Sequence, residues 1–318
     1  MNWIKKGVIY CPQGKFGFDA SHCHKPTPLI IDENTVRVYF GVRDGENKTR
    51  TTFVDLDIND LSRVKYVHDR PALELGKIGT FDDSGGNVCS VVRKDNLVYM
   101  YVIGWNPSTT VHTRNSIGLA VSEDNGFTFR HLFDGPVLDR CKDEPYYTGA
   151  VDVKYDEEEK IWKVWYTSGT EWKMINGKPE IYYHIKYGTS TNGIDWRRDN
   201  ISCIPPKNEM EATARPSVIK EMIDGKPLWR MWYSRRDILN FRIDPKHDYR
   251  GGYAESNDGI SWKRMDEQFG LDVSPDGWDS GAIAYPYVIK IKGKYVMFYN
   301  GNGFGKTGFG YAVLEDNL

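Results

Sequence analysis

Cysteine is scarce in this chain of 318 residues. The five residues Cys11, Cys23, Cys89, Cys141 and Cys203 are an odd number with no C-x-x-C spacing, which excludes a dense disulfide frame and a cysteine-rich zinc site and reads as thiols of a reducing compartment. No run approaches the roughly 18 apolar residues of a membrane span. Behind the lysines of Met1-Asn2-Trp3-Ile4-Lys5-Lys6 there is no apolar core of a signal peptide. A basic excess is missing too: Lys plus Arg (42) nearly balance Asp plus Glu (44), and a nucleic-acid partner needs a basic field. These absences set the expectation of a cytoplasmic protein with neither a nucleic-acid nor a membrane partner. No motif asks for a cofactor or a metal ion.

What is present is aromatic residues, at 14%, and 31 glycines, a composition suited to many short strands joined by turns. The chain also repeats. Ser122-Glu123-Asp124-Asn125-Gly126-Phe127-Thr128-Phe129 returns as Ser190-Thr191-Asn192-Gly193-Ile194-Asp195-Trp196 and as Ser256-Asn257-Asp258-Gly259-Ile260-Ser261-Trp262. Asn-Gly and Asp-Gly between β-like runs signal hairpins, because both residues tolerate positive φ. Upstream of each hairpin lies a glycine-containing strand, before it an aromatic strand, and before that an apolar strand. The aromatic strand occurs five times, as Val36–Phe40, Leu97–Tyr101, Trp162–Tyr166, Trp229–Tyr233 and Lys294–Tyr299. Five units of roughly 64 residues, each a four-stranded meander, predict an all-β five-bladed propeller. A β-sandwich with chance likeness between hairpins does not account for four strand types recurring in one order. The expected blades are 20–80, 81–140, 141–207, 208–275 and 276–318, in a single domain over 1–318. The N-terminal segment completes the last blade.

Let the strands of a blade be A to D from the axis outward. In such a meander the B–C loops and the segments leading into each strand A share one face. Those positions hold His22, His24 and Lys25 in blade 1, then Asp82 and Asp83 in blade 2. They hold Tyr147 and Thr148 in blade 3, Glu211 and Arg215 in blade 4, and Asp279 and Tyr285 in blade 5. The B–C loops add Arg43, Arg50, Trp105, His112, Arg114, Glu171, Trp172, His184, Arg235, Arg236, Arg242, Asn300, Asn302 and Lys306. The opposite face receives plain turns such as Lys94-Asp95-Asn96 and Asp224-Gly225-Lys226. A concave site is therefore expected at the first face.

The blade pattern, Glu211 with Arg215-Pro216, and Tyr299-Asn300-Gly301-Asn302-Gly303-Phe304-Gly305 carry a resemblance that covers the whole chain. The chain resembles the five-bladed propeller glycoside hydrolases of families 43, 32 and 68 and the related family 130 of phosphorylases and hydrolases. It is more similar still to uncharacterised bacterial propellers found with surface-polysaccharide genes. The hydrolase resemblance implies a glycosidic-bond enzyme with three carboxylates on the inner strands. Glu211 matches the general acid by position. The blade-1 carboxylate of the pattern is absent, since His22, His24 and Lys25 stand there with Asp19 nearby, so Asp83 or Asp279 is the candidate base or nucleophile. Each of these three has an alternative: Glu211 in an ion pair with Arg215, and Asp83 and Asp279 in Asp-Ser-Gly turns. Asp152, inside a strand A, reads as structural. Planar guanidinium forks suit carboxylate and phosphate. The arginines (Arg43, Arg50, Arg114, Arg235 and Arg236) therefore point, with His22, His24, Tyr147, Arg215 and Asn300, to a saccharide or sugar-phosphate ligand that is acidic, phosphorylated or nucleotide-linked. The alternatives are a phosphorylase and a propeller that binds without turnover.

Overall fold

A computed structural model describes residues 1–315. Twenty strands form five four-stranded antiparallel sheets. From the axis outward, blade 1 is Ser21–Asp32, Thr35–Arg43, Thr49–Asp57 and Asp60–Val67. Blade 2 is Gly86–Lys94, Leu97–Pro107, Thr113–Ser122 and Arg130–His131. Blade 3 is Thr148–Asp156, Ile161–Ile175, Lys178–Ser190 and Arg197–Ile204. Blade 4 is Glu211–Ile223, Lys226–Asp237, Arg250–Ser256 and Lys263–Arg264. Blade 5 takes Ala284–Ile291, Lys294–Asn300 and Phe309–Leu314 from the C-terminal part and Trp3–Tyr10 from the N-terminal part. Neighbouring A strands touch in cyclic order, 1–2–3–4–5–1, so the ring is closed.

The repeated hairpins explain how the blades hold one another. In each, a serine hydroxyl accepts from the glycine N–H: Gly126 to Ser122 at 2.8 Å, Gly193 to Ser190 at 2.9 Å and Gly259 to Ser256 at 2.9 Å. The glycines sit at φ +80°, +74° and +74°, where other residues are strained. Their carbonyls turn toward the preceding blade. Tyr39 OH donates to Gly126 O (2.6 Å), Tyr101 OH to Gly193 O (2.8 Å) and Trp165 Nε1 to Gly259 O (2.8 Å). Trp232 holds the same place in blade 4, and its buried Nε1 has no acceptor. Its neighbour, blade 5, is closed by the N-terminal strand and has no such hairpin.

Every strand A also carries a register shift near its mouth end, at His24/Thr27, Val88/Ser90, Thr148/Val151, Ala214/Ser217 and Ala284/Tyr287. At three of these bulges a residue at positive φ precedes a proline: Lys25 (+53°), Arg215 (+54°) and Tyr285 (+56°). Such backbone costs about 1–3 kcal/mol and persists where the surroundings over-determine it. The bulges re-aim these side chains toward the axis. Beyond them Asp152 is fully buried. It accepts from Ser90 Oγ (3.1 Å), Tyr287 OH (2.9 Å), Val218 N (2.7 Å) and Lys154 Nζ (3.0 Å), joining the inner strands of blades 2 to 5. No helix among the described residues is long and apolar enough to cross a membrane, and all five cysteines are free.

Candidate functional site

At the face of the B–C loops a cavity of about 690 Å³ opens over the bulges. Its cations are Lys25, Arg43, Arg236 and Arg242, its imidazoles His24 and His112, and its phenols Tyr147, Tyr183, Tyr249 and Tyr285. Asn47, Asn87 and Asn115 add carboxamides, while Trp105, Phe241 and Phe304 add aromatic wall. Neither Asp nor Glu is among the lining residues.

Each lining group is held by the local fold. Lys25 N–H donates to Asn300 Oδ1 (2.8 Å), and Asn300 Nδ2 donates to the carbonyls of Cys23 (2.6 Å) and Gly308 (3.1 Å). Asn300 is fully buried and serves to seat Lys25. Arg43 reaches Asn47 Oδ1 at 3.2 Å. Arg236 donates to Tyr183 OH (2.8 Å) and to the Asp237 carbonyl (2.7 Å), with its guanidinium over the Phe241 ring at 3.7 Å. Arg242 also lies against that ring, 4.7 Å from the Phe241 centroid. Trp105 packs against Gly85, where an added Cβ would stand 2.4 Å from the indole, so glycine there lets the indole lie flat beside the cavity. Two buried polar atoms of the lining residues have no partner, His24 Nε2 and Asn87 Oδ1. An orphan of this kind in a native fold asks for an explanation.

The electrostatics follow from burial and from the absence of carboxylates. Burial, then Arg43 and Lys306, lowers the His22 pKa to about 4. His24, stacked on it at 4.9 Å, is held well below the ordinary histidine value by burial, Arg43, Lys25 and His22. Burial, with Arg242 and Arg236 beside it, also lowers His112. Burial raises all four tyrosines, which stay phenols able to donate hydrogen bonds. Positive charge in the cavity therefore rests on three guanidiniums, facing neutral donors, with Lys25 beside them as an amine whose pKa burial lowers. Guanidinium forks and neutral donors of this kind are the chemistry that suits an anionic group.

The sequence-derived candidates divide into two groups. His24, Arg43 and Tyr147 line the cavity. His22 stacks behind His24 and Asn300 supports Lys25. Arg215 is fully buried beneath, donating to the Cys89 carbonyl and to Thr27 Oγ1 (2.7 Å). Arg50 is paired with Asp44, Arg114 is exposed and reaches Ser108 Oγ at 3.3 Å, and Arg235 donates to the Gly251 carbonyl at 3.0 Å.

None of the three candidate carboxylates lines the cavity. Glu211 forms a two-pronged ion pair with Arg264 (2.7 and 2.9 Å) and accepts from Lys207 N (2.7 Å). It pairs with a residue of strand D, and Arg215 makes no contact with it. Asp279 is buried against Lys5 (2.7 Å) and Tyr299 OH (3.0 Å). Asp83 sits in its turn, where hydrogen bonds from Gly79 N–H, Ser84 and Asn106 hold it below the usual carboxylate range. Asp19, the remaining blade-1 acid, is buried beneath Phe16 N–H (2.8 Å) and off the cavity. Tyr183, Tyr249 and Asn87 were not singled out from the sequence. Tyr249 ends the blade-4 B–C loop, so reading that loop to its last residue finds it.

Comparison with known proteins places the chain. No protein-family profile matches it. Two proteins of Mycobacterium tuberculosis, uncharacterized protein MT1551 of strain CDC 1551 / Oshkosh and uncharacterized protein Rv1502 of strain ATCC 25618 / H37Rv, are each 33% identical to it over 317 residues. The match takes in 99% of this chain and 100% of theirs. The chain belongs to their family. Among solved structures, a complex of BT0996 with RGII superposes with a TM-score of 0.72 at 16% identity, covering 99% of this protein and 92% of that one. A thermostable family-43 glycoside hydrolase gives 0.63 at 18% identity, covering 94% and 92%. A structure from the GH130 family of mannoside phosphorylases, containing glycoside hydrolases that target β-1,2 mannosidic linkages in Candida mannan, gives 0.65 at 12%, covering 98% and 93%. The fold of this family is thus that of the five-bladed propeller glycoside hydrolases.

Proposed function

We propose that the protein is a carbohydrate-active propeller whose cavity takes a saccharide bearing phosphate or carboxylate groups. We further propose that it acts on the glycosidic bond of that sugar without a pair of protein carboxylates. One observation carries this reading: the cavity gathers four cationic side chains and four phenols, and no Asp or Glu lines it. Hydrolysis by two carboxylates needs them about 5–10 Å apart across the scissile bond, and the candidates are engaged in ion pairs or turns outside the cavity. An anion held by the cations, inorganic phosphate included, supplies a nucleophile in their place, which is phosphorolysis. The RGII complex and the mannosidic linkages targeted by GH130 hydrolases support a sugar as the ligand.

A second reading, binding without turnover, is favoured by the same lack of carboxylates. The deciding experiment incubates the protein with neutral, carboxylated and phosphorylated oligosaccharides and nucleotide sugars, with and without phosphate, and reads products by mass spectrometry and binding by calorimetry. Phosphate-dependent sugar phosphate is the expected product. Retention of an anionic sugar with no turnover selects the binding reading. Preference for neutral sugars, unaltered in Arg43→Gln, rejects both.

A further inference from the structure

Lys25 differs from Arg43 and Arg236, which hold hydrogen bonds to their neighbours. Like Arg242, which lies over the Phe241 ring, it has an aromatic ring beside it instead. Lys25 Nζ has no hydrogen-bond or ion-pair partner among the described residues. It lies over the Tyr285 ring, 5.5 Å from the centroid. The rest of the residue is fixed. It stands at φ +53°, ahead of Pro26, with its N–H bound to Asn300. Strained, over-determined backbone that presents a free side chain to a cavity is a mark of functional sites. The groups facing Lys25 come from five strands: His22 and His24 beside it, Arg43 from blade 1, Cys89 from blade 2, Arg215 from blade 4 and Tyr285 from blade 5. Among them are two guanidiniums and no carboxylate. Burial, joined by Arg215 and Arg43, lowers the lysine pKa. A lysine desolvated beside other cations is the setting in which an amine becomes a nucleophile at neutral pH.

We propose that Lys25 is a nucleophilic amine that forms an imine with the carbonyl carbon of an anionic carbonyl compound, the class to which the open-chain form of an acidic sugar belongs. This rests on reading the cavity as an anion site. The neutral amine adds its lone pair to the carbonyl carbon, and a C–N bond forms. The carbonyl oxygen leaves as water with both amine hydrogens, so nothing is oxidised or reduced. Arg43 and Arg242 hold the anionic group, and the buried phenols of Tyr249 and Tyr285, still protonated, line the space through which the oxygen departs.

The test uses two aldehydes with sodium cyanoborohydride near neutral pH, glyoxylate (anionic) and acetaldehyde (neutral), followed by peptide mass mapping of the intact protein's lysines. Lys25 is expected to be alkylated on the order of tenfold faster than the exposed lysines by acetaldehyde, faster again by glyoxylate, and glyoxylate labelling should be competed by phosphate. Lys25→Gln should lose the fast phase. Arg43→Gln, by removing one flanking cation, should move the pH profile of acetaldehyde labelling upward. If Lys25 reacts no faster than exposed lysines with either aldehyde, the proposal is wrong. If it reacts fast with both aldehydes at equal rates and phosphate does not compete, the amine stands and the anion-site reading falls.

Discussion

Two charged regions lie on the axis of this propeller and are built in opposite ways. The Asp152 carboxylate is matched: four donors from four blades meet it, Lys154 among them. At the mouth three guanidiniums and the Lys25 amine meet phenols, carboxamides and imidazoles whose pKa values are lowered, His24 by burial above all, with no carboxylate among the lining residues. Burying an ion without a partner is costly, and a matched buried group is a structural joint. The function proposed above accounts for an unmatched cluster open to a cavity, because an anionic ligand would bring the missing charge.

The contrast can be broken experimentally. The largest effect is expected from Asp152→Ala, which strands Lys154 and three further donors and should cost about 3–5 kcal/mol in denaturant unfolding. An unchanged midpoint would mean the matched region is not a joint at all. Glu211→Gln weakens the ion pair with Arg264 and should cost about 1.5–3 kcal/mol while leaving affinity for anionic sugars as it was. Loss of affinity with stability intact would return Glu211 to the site. Arg242→Ala should do the reverse: weaken anion binding about tenfold, the worth of about 1.4 kcal/mol, with unfolding unaltered.

Acid sharpens the comparison further. His22, His68 and His184 each fall from 6.5 to about 4, mainly through burial. Because the unfolded chain then binds more protons than the folded one, stability should be full above pH 6.5 and decline as pH drops toward 4. A saturating anion favours protonated His22 and His24, so adding one should shrink that decline. A decline that the anion does not alter would separate the histidines from the ligand. The smallest expected difference lies between two indoles. Trp165→Phe gives up a hydrogen bond worth about 1 kcal/mol, whereas Trp232→Phe removes an N–H that had no acceptor and should cost less by that amount in the same unfolding assay.

The propeller was legible in the sequence because its signals are local and repeated: the serine, the Asn or Asp and the glycine of each hairpin lie within a few residues of one another. The residues of the cationic mouth were legible from topology, since Lys25 and Tyr285 fall at the mouth end of a strand A, Arg43 and Arg236 at the mouth end of a strand B, and His112 and Arg242 in B–C loops. The roles of the carboxylates were not. Asp279 is neutralised by Lys5, 274 residues away in sequence. Glu211 is claimed by Arg264, 53 residues on. A family pattern marks where a carboxylate stands, but the cation that occupies it comes from another strand and leaves no local trace. Arg215 shows the converse, a near neighbour of Glu211 in sequence whose guanidinium the bulge sends across the axis to blades 1 and 2.

The joining of Trp3–Tyr10 to Phe309–Leu314 has a consequence for how the protein comes into being. On a ribosome the first strand emerges long before its partner exists. Blades 1 to 4 can settle in turn on the growing chain while the circle stays open. The mouth needs Lys25 from blade 1 to stand beside Tyr285 and Asn300 from blade 5, so it is assembled only when the last strand arrives. Formation of the cavity wall is thereby coupled to synthesis of blade 5, and a chain broken off before Tyr285, however well its early blades are folded, lacks that side of the mouth.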